Sequence, residues 1–209
     1  MKNKLVFAAL GAVAALGCLA VEQFSGATLP PPDKTGGKPL MQCLTERKSS
    51  RDFLPGKTLD AQTLSDLLYA AYGMNRPEQG RHTVPTAMNR QDVAIFVLLP
   101  DGVFRYDAAK HGLVEISTAD ERNNAGGNPG MFAKSAAVVV FVSDSKKIDN
   151  ERYAAFHAGC ASQNISLFCA SAGLGTVVVG SYNDNALRKI LKLNDAERIQ
   201  MTQAVGFVK

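Results

Sequence analysis

The spacing of apolar residues along this chain predicts helices and strands in mixed order. Between residues 59 and 76, apolar side chains recur every three or four positions, which is the period of a half-buried helix. Asp60 stands where an N-cap belongs, and Gly73 stands at the expected end. The apolar stripe is formed by Leu64, Leu67, Leu68 and Ala71. We therefore predict an amphipathic helix that faces the core.

Three further segments complete the helical prediction. Residues 151–175 predict the longest helix, residues 185–193 a shorter one, and residues 39–50 contain a third, short helix. Apolar residues cover much of the circumference of the longest helix, so we expect it to be deeply buried. They are Tyr153, Phe156, Cys160, Ile165, Phe168 and Ala172. Residues 74–91 are polar and interrupted by prolines, so no regular structure is expected there.

Continuous apolar runs predict the strands. They are VAIFVLL (93–99), GVFRYD (102–107), LVEIS (113–117), AAVVVFVSD (136–144), TVVVG (176–180) and RIQMTQAVGFVK (198–209). A Pro-Asp-Gly turn signal at residues 100–102 joins the first two. Strands and helices do not alternate strictly, and at least one meander is antiparallel. We therefore predict an α+β fold with a mainly antiparallel central sheet flanked by helices.

Residues 1–20 are typical of an export signal. Cationic residues at the start precede an apolar run that is short for a membrane span. The sequence ALGC, ending at Cys18, resembles a bacterial lipobox that would lipidate this cysteine and tether the protein to a membrane; ordinary signal cleavage is the alternative. We expect a periplasmic protein or a membrane-anchored lipoprotein. Residues 21–38 predict a flexible linker, and residues 39–209 a single domain.

Composition narrows the function classes. The chain is 46% hydrophobic and 20% charged, as globular proteins are. A formal net charge of only +4, without tryptophan or an aromatic-plus-basic repeat, argues against a nucleic-acid partner. Cys43, Cys160 and Cys169 are scattered and lack the clustered spacing of metal ligands, so no metal site is expected. We interpret them as small core residues, with one disulfide as the alternative.

Five stretches, in this order, resemble the FMN-dependent nitroreductase family, and especially its compact members similar to the flavin oxidases of peptide thiazole and oxazole biosynthesis. They are RKSSRDF (47–53), LLYAAYGMNR (67–76), HTVPTAMNRQ (82–91), HAGCASQNISLFCASAGLGTVVVGSYND (157–184) and AVGFVK (204–209). The resemblance implies a homodimer with two FMN sites at its interface. It also implies a small-molecule electron donor and a small-molecule acceptor.

The resemblance assigns the cationic segment at residues 47–51 to the flavin. Arg47, Lys48 and Ser49 match residues around the FMN phosphate and ribityl chain, and a guanidinium with a hydroxyl suits a phosphate dianion. Arg51 matches a cation near the pyrimidine end of the ring. A positive charge there stabilises the negative charge that grows near N1 on hydride uptake. Without the resemblance, the segment would be interpreted as a solvated helix end.

The PTAMN sequence at residues 85–89 matches a Pro-Ser-x-x-Asn loop of the family. Pro85 pre-sets the loop geometry, and Thr86 stands where Ser is common. Asn89 is expected to hydrogen-bond the pyrimidine edge, since its amide both donates and accepts. Gln91 occupies a further position that the family places near the ring.

The end of the strand at residues 176–180 matches the segment that passes the N5 edge of the flavin. Gly180 lets the backbone come close, with an N–H aimed at N5 or O4. Val179 stands where some members have Glu, which leaves the donor role to the backbone. Lys209 is expected to supply one phosphate contact in place of the basic pair of many members.

The histidines receive no acid–base role. We expect His157, on the apolar helix, to be a satisfied core histidine, and His111 to lie in a turn. His82 precedes the PTAMN loop and could border the substrate opening. None has a sequence-adjacent partner of the kind a nucleophile triad needs, so no catalytic residue is assigned. For Gln163 and Asn164, a structural tie and a ligand role stay open.

Together with the export signal, the resemblance implies an exported oxidoreductase that passes a hydride or two electrons through flavin N5 with ping-pong kinetics. Nitroaromatics and quinones are typical acceptors in the family. Because NAD(P)H is scarce outside the cytoplasm, one alternative is another donor, or a dehydrogenase that oxidises a substrate onto the flavin. A flavin carrier or storage protein without turnover is a second alternative, and an interaction domain that has lost the flavin is a third.

Overall fold

One antiparallel sheet organises the chain. The computed structural model describes residues 28–209. Its strands are β1 Met74–Arg76, β2 Arg81–His82, β3 Val93–Leu99, β4 Gly102–Asp107, β5 Gly112–Ser117, β6 Ala137–Asp144, β7 Gly175–Val179 and β8 Glu197–Gly206. Strands β1 and β2 form a separate hairpin, and the other six follow the order β5-β4-β3-β6-β8-β7 with antiparallel neighbours throughout. The predicted α+β fold is confirmed.

Helices cover both faces of this sheet. They are α1 Leu40–Glu46, α2 Ala61–Tyr72, α3 Pro129–Phe132, α4 Glu151–Ala172 and α5 Asp184–Ile190. Short 3-10 turns occupy Pro77–Gln79, Ala87–Asn89 and Arg122–Asn124. The caps of α2 are as predicted: the Asp60 carboxylate accepts from the Thr63 N–H at 2.7 Å, and Gly73 ends the helix.

Alternating side chains of the central strands separate two hydrophobic layers. On β6, Val139 and Phe141 pack in one layer with residues of α2 and α4, whereas Val138 and Val140 pack in the other with residues of α3 and α5. This is the two-residue period of a strand that is buried on both faces. The sheet is therefore a rigid middle layer on which the loops between elements are placed.

Helix α4 is buried on one side only, which corrects the expectation of deep burial all round. Ala158, Ile165 and Cys169 face the core, but Tyr153 is exposed and Phe156 is 58% exposed. Apolar residues around a helix show that each side is apolar. They do not show that each side meets a partner within the same chain.

The polar segment at residues 74–91 contains regular structure, contrary to the prediction. It folds into the β1–β2 hairpin, whose turn places Gly80 at φ +61°. Glycine adopts this left-handed conformation without the steric cost that a Cβ would bring. The hairpin and the loop after it therefore have a defined shape.

Residues 28–38, the second part of the predicted linker, lie against the domain. Leu29 is 3% exposed, and its N–H donates to the His111 carbonyl at 3.2 Å. The Ser65 hydroxyl donates to the Pro30 carbonyl at 2.6 Å. A Pro/Gly-rich composition did not reveal the single buried leucine that anchors this segment. The predicted signal at residues 1–20 and the first part of the linker lie outside the described residues.

No helix within residues 28–209 has both the length and the apolar character needed to cross a membrane.

Candidate functional site

The cationic segment after α1 is held against β7 and the C-terminal tail. Ser49 forms a parallel bridge with Thr176, and the Ser50 N–H donates to the Thr176 carbonyl at 2.9 Å. Farther along, the Leu54 N–H donates to the Phe207 carbonyl at 2.8 Å. Backbone hydrogen bonds thus fix a segment whose side chains are mostly polar.

A cavity of about 400 Å³ lies beside this segment. We call it the cationic cavity, because Lys38, Arg47 and Lys48 are among its lining residues. Among residues 28–209, Glu46 is the one carboxylate that lines it, and Glu46 forms a 2.6 Å ion pair with Lys38. The Lys38 ammonium holds the pKa of Glu46 below its usual value. One cation is thereby matched within the cavity, and the positive charges of Arg47 and Lys48 remain.

The cations of the segment have no carboxylate partner in the part of the chain that the structure describes. Within residues 28–209, no salt bridge of 4.0 Å or less involves Arg47, Lys48 or Arg51. Guanidinium groups bind phosphate bidentately and remain charged at all ordinary pH values. An anion is therefore the chemically matched ligand for this segment.

The lining of the cationic cavity includes hydrogen-bonded hydroxyl groups and one thiol of low reactivity. The buried Gln203 amide donates to the hydroxyl of Thr176 at 3.0 Å and to that of Ser166 at 3.2 Å, and both hydroxyls belong to lining residues. Cys169 also lines the cavity, and burial raises the pKa of its thiol to about 12. The protonated thiol is a poor nucleophile.

The three cysteines within residues 28–209 are free thiols. Cys43 and Cys169 are buried, as predicted for small core residues, whereas Cys160 is half-buried.

Gly180 lies in open space just beyond β7. A Cβ built at this residue meets no atom within 4 Å, in contrast to Gly175, where it would collide with Val208. Because the bridge from Ser49 to Thr176 is parallel, the cationic segment runs in the same direction as β7 toward Gly180. Gly180 follows Thr176 by four residue steps, which is about 13 Å along the strand. Val179 is half-buried. Lys209 is exposed and follows Val208, which lies against Gly175 at the start of β7.

The second group of predicted residues lines a different cavity, of about 290 Å³. Pro85, Thr86, Asn89 and Gln91 line it together with His82. We call residues 85–91 the PTAMN loop and this space the loop cavity. The Gln91 N–H donates to the Thr86 hydroxyl at 3.0 Å, and the Gln91 side-chain amide donates to the Gly80 carbonyl at 2.5 Å. Gln91 therefore ties the loop to the hairpin.

The PTAMN loop has an unusual backbone. Met88, Asn89 and Gln91 have φ values of +52°, +54° and +50°, in the left-handed region that non-glycine residues rarely adopt. Such conformations cost roughly 1–3 kcal/mol each and persist where the surroundings enforce them. They are concentrated at functional sites. The strain therefore adds support for the ligand-binding role that the sequence predicts for this loop.

Within a protomer, predicted residues line two separate cavities. The cationic cavity and the loop cavity share no lining residue. The sheet order is the physical reason: the PTAMN loop leads into β3, the cationic segment lies along β7, and β6 and β8 lie between them. Three strand spacings amount to about 14 Å.

His157 and His111 are bonded within the fold, whereas His82 lines the loop cavity. His157 is fully buried and bonded through both ring nitrogens, which confirms the predicted core histidine. His82 stacks on Tyr72 at 4.1 Å between ring centroids, and burial lowers its pKa. His111 contacts the hydroxyls of Ser65 and Tyr106 at 2.7 Å each.

Asn164 has the structural role that was one of its two predicted alternatives. His157 makes a contact that the sequence did not reveal. The Asn164 amide donates to the Ala70 carbonyl at 3.0 Å and so ties α4 to α2, which is the structural role. The Ala87 N–H in the PTAMN loop donates to His157 at 2.8 Å. These two residues are 70 positions apart, and no spacing signal connects them.

Comparisons with known proteins agree with this architecture. The model of the Nitroreductase family matches residues 44–207. A protein of Methanocaldococcus jannaschii named as a nitroreductase, MJ1384, is 30% identical over 171 residues, which span 75% of this chain and 85% of the relative.

Solved structures show the same fold. A nitroreductase crystal structure from Ralstonia eutropha JMP134 superposes with a TM-score of 0.80 at 33% identity, covering 100% of this chain and 96% of that one. A nitroreductase from Desulfovibrio desulfuricans in complex with FMN superposes with a TM-score of 0.60 at 18% identity, covering 82% and 87%. At that identity, the second structure supports the fold alone.

Proposed function

Because the chain belongs to the Nitroreductase family, we propose that it is an FMN-dependent oxidoreductase that transfers two electrons between small molecules. One observation carries the proposal. Arg47, Lys48 and Arg51, which have no carboxylate partner within residues 28–209, lie on a segment that runs along β7 toward the open backbone at Gly180. This arrangement suits a ligand with an anionic tail and a flat reactive ring.

The residues present fit FMN at both of its ends. Arg47, Lys48 and the Ser49 hydroxyl would hold the phosphate and ribityl chain, with Lys209 as an additional cation. The open space at Gly180 leaves room for a ring beside the backbone. Arg51 would lie near the pyrimidine end, and its charge favours the reduced form.

When bound, FMN supplies hydride chemistry at N5, taking two electrons from a donor and passing them to an acceptor in alternate half-reactions. The chain supplies binding, orientation and charge. Val179 and Gly180 offer main-chain groups at this edge. Nitroaromatics and quinones are the proposed acceptors.

We further propose that the flavin binds between two protomers of a homodimer. The PTAMN loop and the cationic segment line separate cavities in one protomer, and in this proposal a bound flavin meets the cationic segment of one copy and the PTAMN loop of the other. Leu40 and Met41 of α1 are 62% and 72% exposed, and Phe156 of α4 is also exposed. A dimer that covers these side chains removes apolar surface from water. Light scattering after size exclusion tests the assembly, and a monomer that binds FMN fully would contradict it.

Export is also part of the proposal. The cationic start, the apolar run and the ALGC sequence at Cys18 support it. Fractionation of cells that express the full chain tests the location. Comparison with Cys18→Ala separates a lipid tether, which this substitution abolishes, from an ordinary cleaved signal, which it leaves intact.

An anaerobic titration of the purified FMN-loaded protein tests the proposed reaction. NADH, NADPH and dithionite are added in turn, and flavin absorbance is followed. Bleaching by a nicotinamide donor, followed by recovery with a quinone or nitroaromatic acceptor, is expected. Reduction by dithionite alone points to another donor or to a dehydrogenase. If dithionite reduces the flavin and neither a quinone nor a nitroaromatic reoxidises it, the protein is a flavin carrier and not an enzyme.

A further inference from the structure

A buried polar pair lies directly behind the PTAMN loop. His157 of α4 and Asp92, at the loop's end, are 0% and 1% exposed, and their Nδ1 and Oδ1 atoms are 2.7 Å apart. The Nε2 atom of His157 is 2.8 Å from the backbone nitrogen of Ala87. The pair thus connects the longest helix to the centre of the loop.

The donors and acceptors in this chain define one tautomer. The Ala87 N–H donates to Nε2, so Nε2 carries no proton. The imidazole proton is therefore on Nδ1 and is donated to the Asp92 carboxylate. Asp92 selects the tautomer, and the tautomer presents the acceptor that Ala87 requires. Tyr153 and Phe156 flank the ring, with centroids 6.2 Å and 5.8 Å from that of His157.

This acceptor stands at the start of the strained part of the loop. Met88 and Asn89, which follow Ala87 directly, have left-handed backbone conformations. The Asn89 N–H donates back to the Thr86 carbonyl at 3.0 Å, which keeps the turn tight. An anchor at Ala87 limits how far these residues can relax toward ordinary φ values.

We propose that His157 and Asp92 are positioning residues that hold the PTAMN loop in its ligand-binding conformation through the Ala87 N–H. The inference rests on the proposed function, because the ligand that binds to this loop conformation is the flavin. Neither residue lines the cationic cavity or the loop cavity, so both act through the loop backbone.

Two substitutions of His157 separate its two hydrogen bonds. His157→Asn keeps an amide donor near Nδ1 and removes the acceptor for Ala87, whereas His157→Gln places an amide oxygen near Nε2. His111→Asn is the matched control, because His111 is a half-buried histidine that also has two polar partners and lies outside both cavities. The measurements are the FMN dissociation constant, and hydrogen–deuterium exchange of residues 85–91 in flavin-free protein.

We expect His157→Asn to raise the FMN dissociation constant roughly tenfold, because the half-buried Ala87 N–H loses its acceptor, and to accelerate exchange in the loop. His157→Gln should stay within about threefold of the wild type. His111→Asn should change melting temperature without changing either loop measurement. Equal losses in the Asn and Gln variants, unchanged loop exchange, or equal weakening by His111→Asn would overturn the proposal.

A wild-type protein that binds no FMN would contradict the proposed function. Hydrogen–deuterium exchange of residues 85–91 would still test the positioning role. If the His157 variants do not fold, nitrogen-15 NMR of histidine-labelled wild type decides. A pyridine-type Nε2 and a protonated Nδ1 on His157 are expected, and the opposite tautomer contradicts the proposal.

Discussion

Ser49 and Thr176 form a parallel β-bridge that joins residues 127 positions apart and sets the cationic segment along the sheet edge. The bridge aligns the segment with β7, so that Arg47 precedes the contact and Arg51 follows it in the direction of Gly180. A linear ligand can therefore meet a cation at one end and open main chain at the other.

Arg47→Ala should weaken FMN binding by roughly 1.5–3 kcal/mol, because a charge-assisted hydrogen bond to the phosphate is lost. Fluorescence titration of the flavin-free protein measures this change. Lys110→Ala removes the same charge at the β4–β5 turn, far from β7, and should leave affinity unchanged. Equal affinity of Arg47→Ala and wild type would exclude Arg47 from the site.

Arg51→Ala should lower the midpoint potential of the bound flavin by roughly 20–40 mV, the equivalent of about 1–2 kcal/mol for a two-electron couple. The cause is the loss of a positive charge that stabilises the reduced ring. Spectroelectrochemistry with reference dyes measures the shift, and Arg51→Lys should restore most of it. An unmoved potential in Arg51→Ala would remove the electronic role while leaving the phosphate site intact.

Gly180→Ala should leave stability unchanged or slightly higher and weaken FMN binding. The new methyl meets no atom of the protomer, and Gly180 is not in the left-handed region, so only the space offered to the ring is reduced. Thermal unfolding and flavin titration are compared with those of Gly130→Ala, which also adds a methyl in open space. Wild-type affinity in Gly180→Ala would place the ring elsewhere.

Asn89 permits a test that separates backbone conformation from recognition. Asn89→Gly keeps the φ of +54° without strain and removes the amide, so folding stability should hold while FMN affinity falls several-fold. Asn89→Ala should lower both folding stability and FMN affinity, because Ala tolerates this conformation poorly and also lacks the amide. Urea unfolding and flavin titration measure the two effects. If Asn89→Gly binds FMN as tightly as wild type does, its amide makes no useful contact with the ring.

The fold should lose stability as pH falls below about 6.5. Burial lowers the pKa of His82 and of His111 from the ordinary value of 6.5, so the unfolded chain binds protons more readily than the folded one. Stability from this source is complete above pH 6.5 and declines as pH falls toward the lowered pKa values. Urea unfolding at pH 7.5 and 5.5 measures the decline. His82→Gln should reduce it, and an identical pH dependence would contradict the assignment.

The sequence predicted α2, β3 and β4 because caps and apolar runs are set by residues close together in the chain. Asp60 and Gly73 bound α2 as expected, and the apolar runs at residues 93–99 and 102–107 coincide with β3 and β4. The exposure of Phe156 was not predictable, because apolar periodicity does not distinguish a core from a surface that another chain covers. Leu29 was missed because one buried residue within a Pro/Gly-rich segment leaves no periodic trace.

The candidate site was predictable only in its parts. The residues at 47–51 and 85–91 carry recognisable chemistry, but their separation by two strands follows from the sheet order, which no local pattern encodes. The bond from Ala87 to His157 likewise depends on tertiary packing. The left-handed backbone at Met88 is contrary to the preference of the residue itself, so the sequence carries no signal for it.

Equilibrium binding of FMN to the purified, flavin-free protein tests the central claim most directly. We expect saturation at one FMN per protomer, a yellow complex with flavin absorption bands, and release of the intact cofactor on heating. A folded protein that stays colourless at saturating FMN would contradict the account.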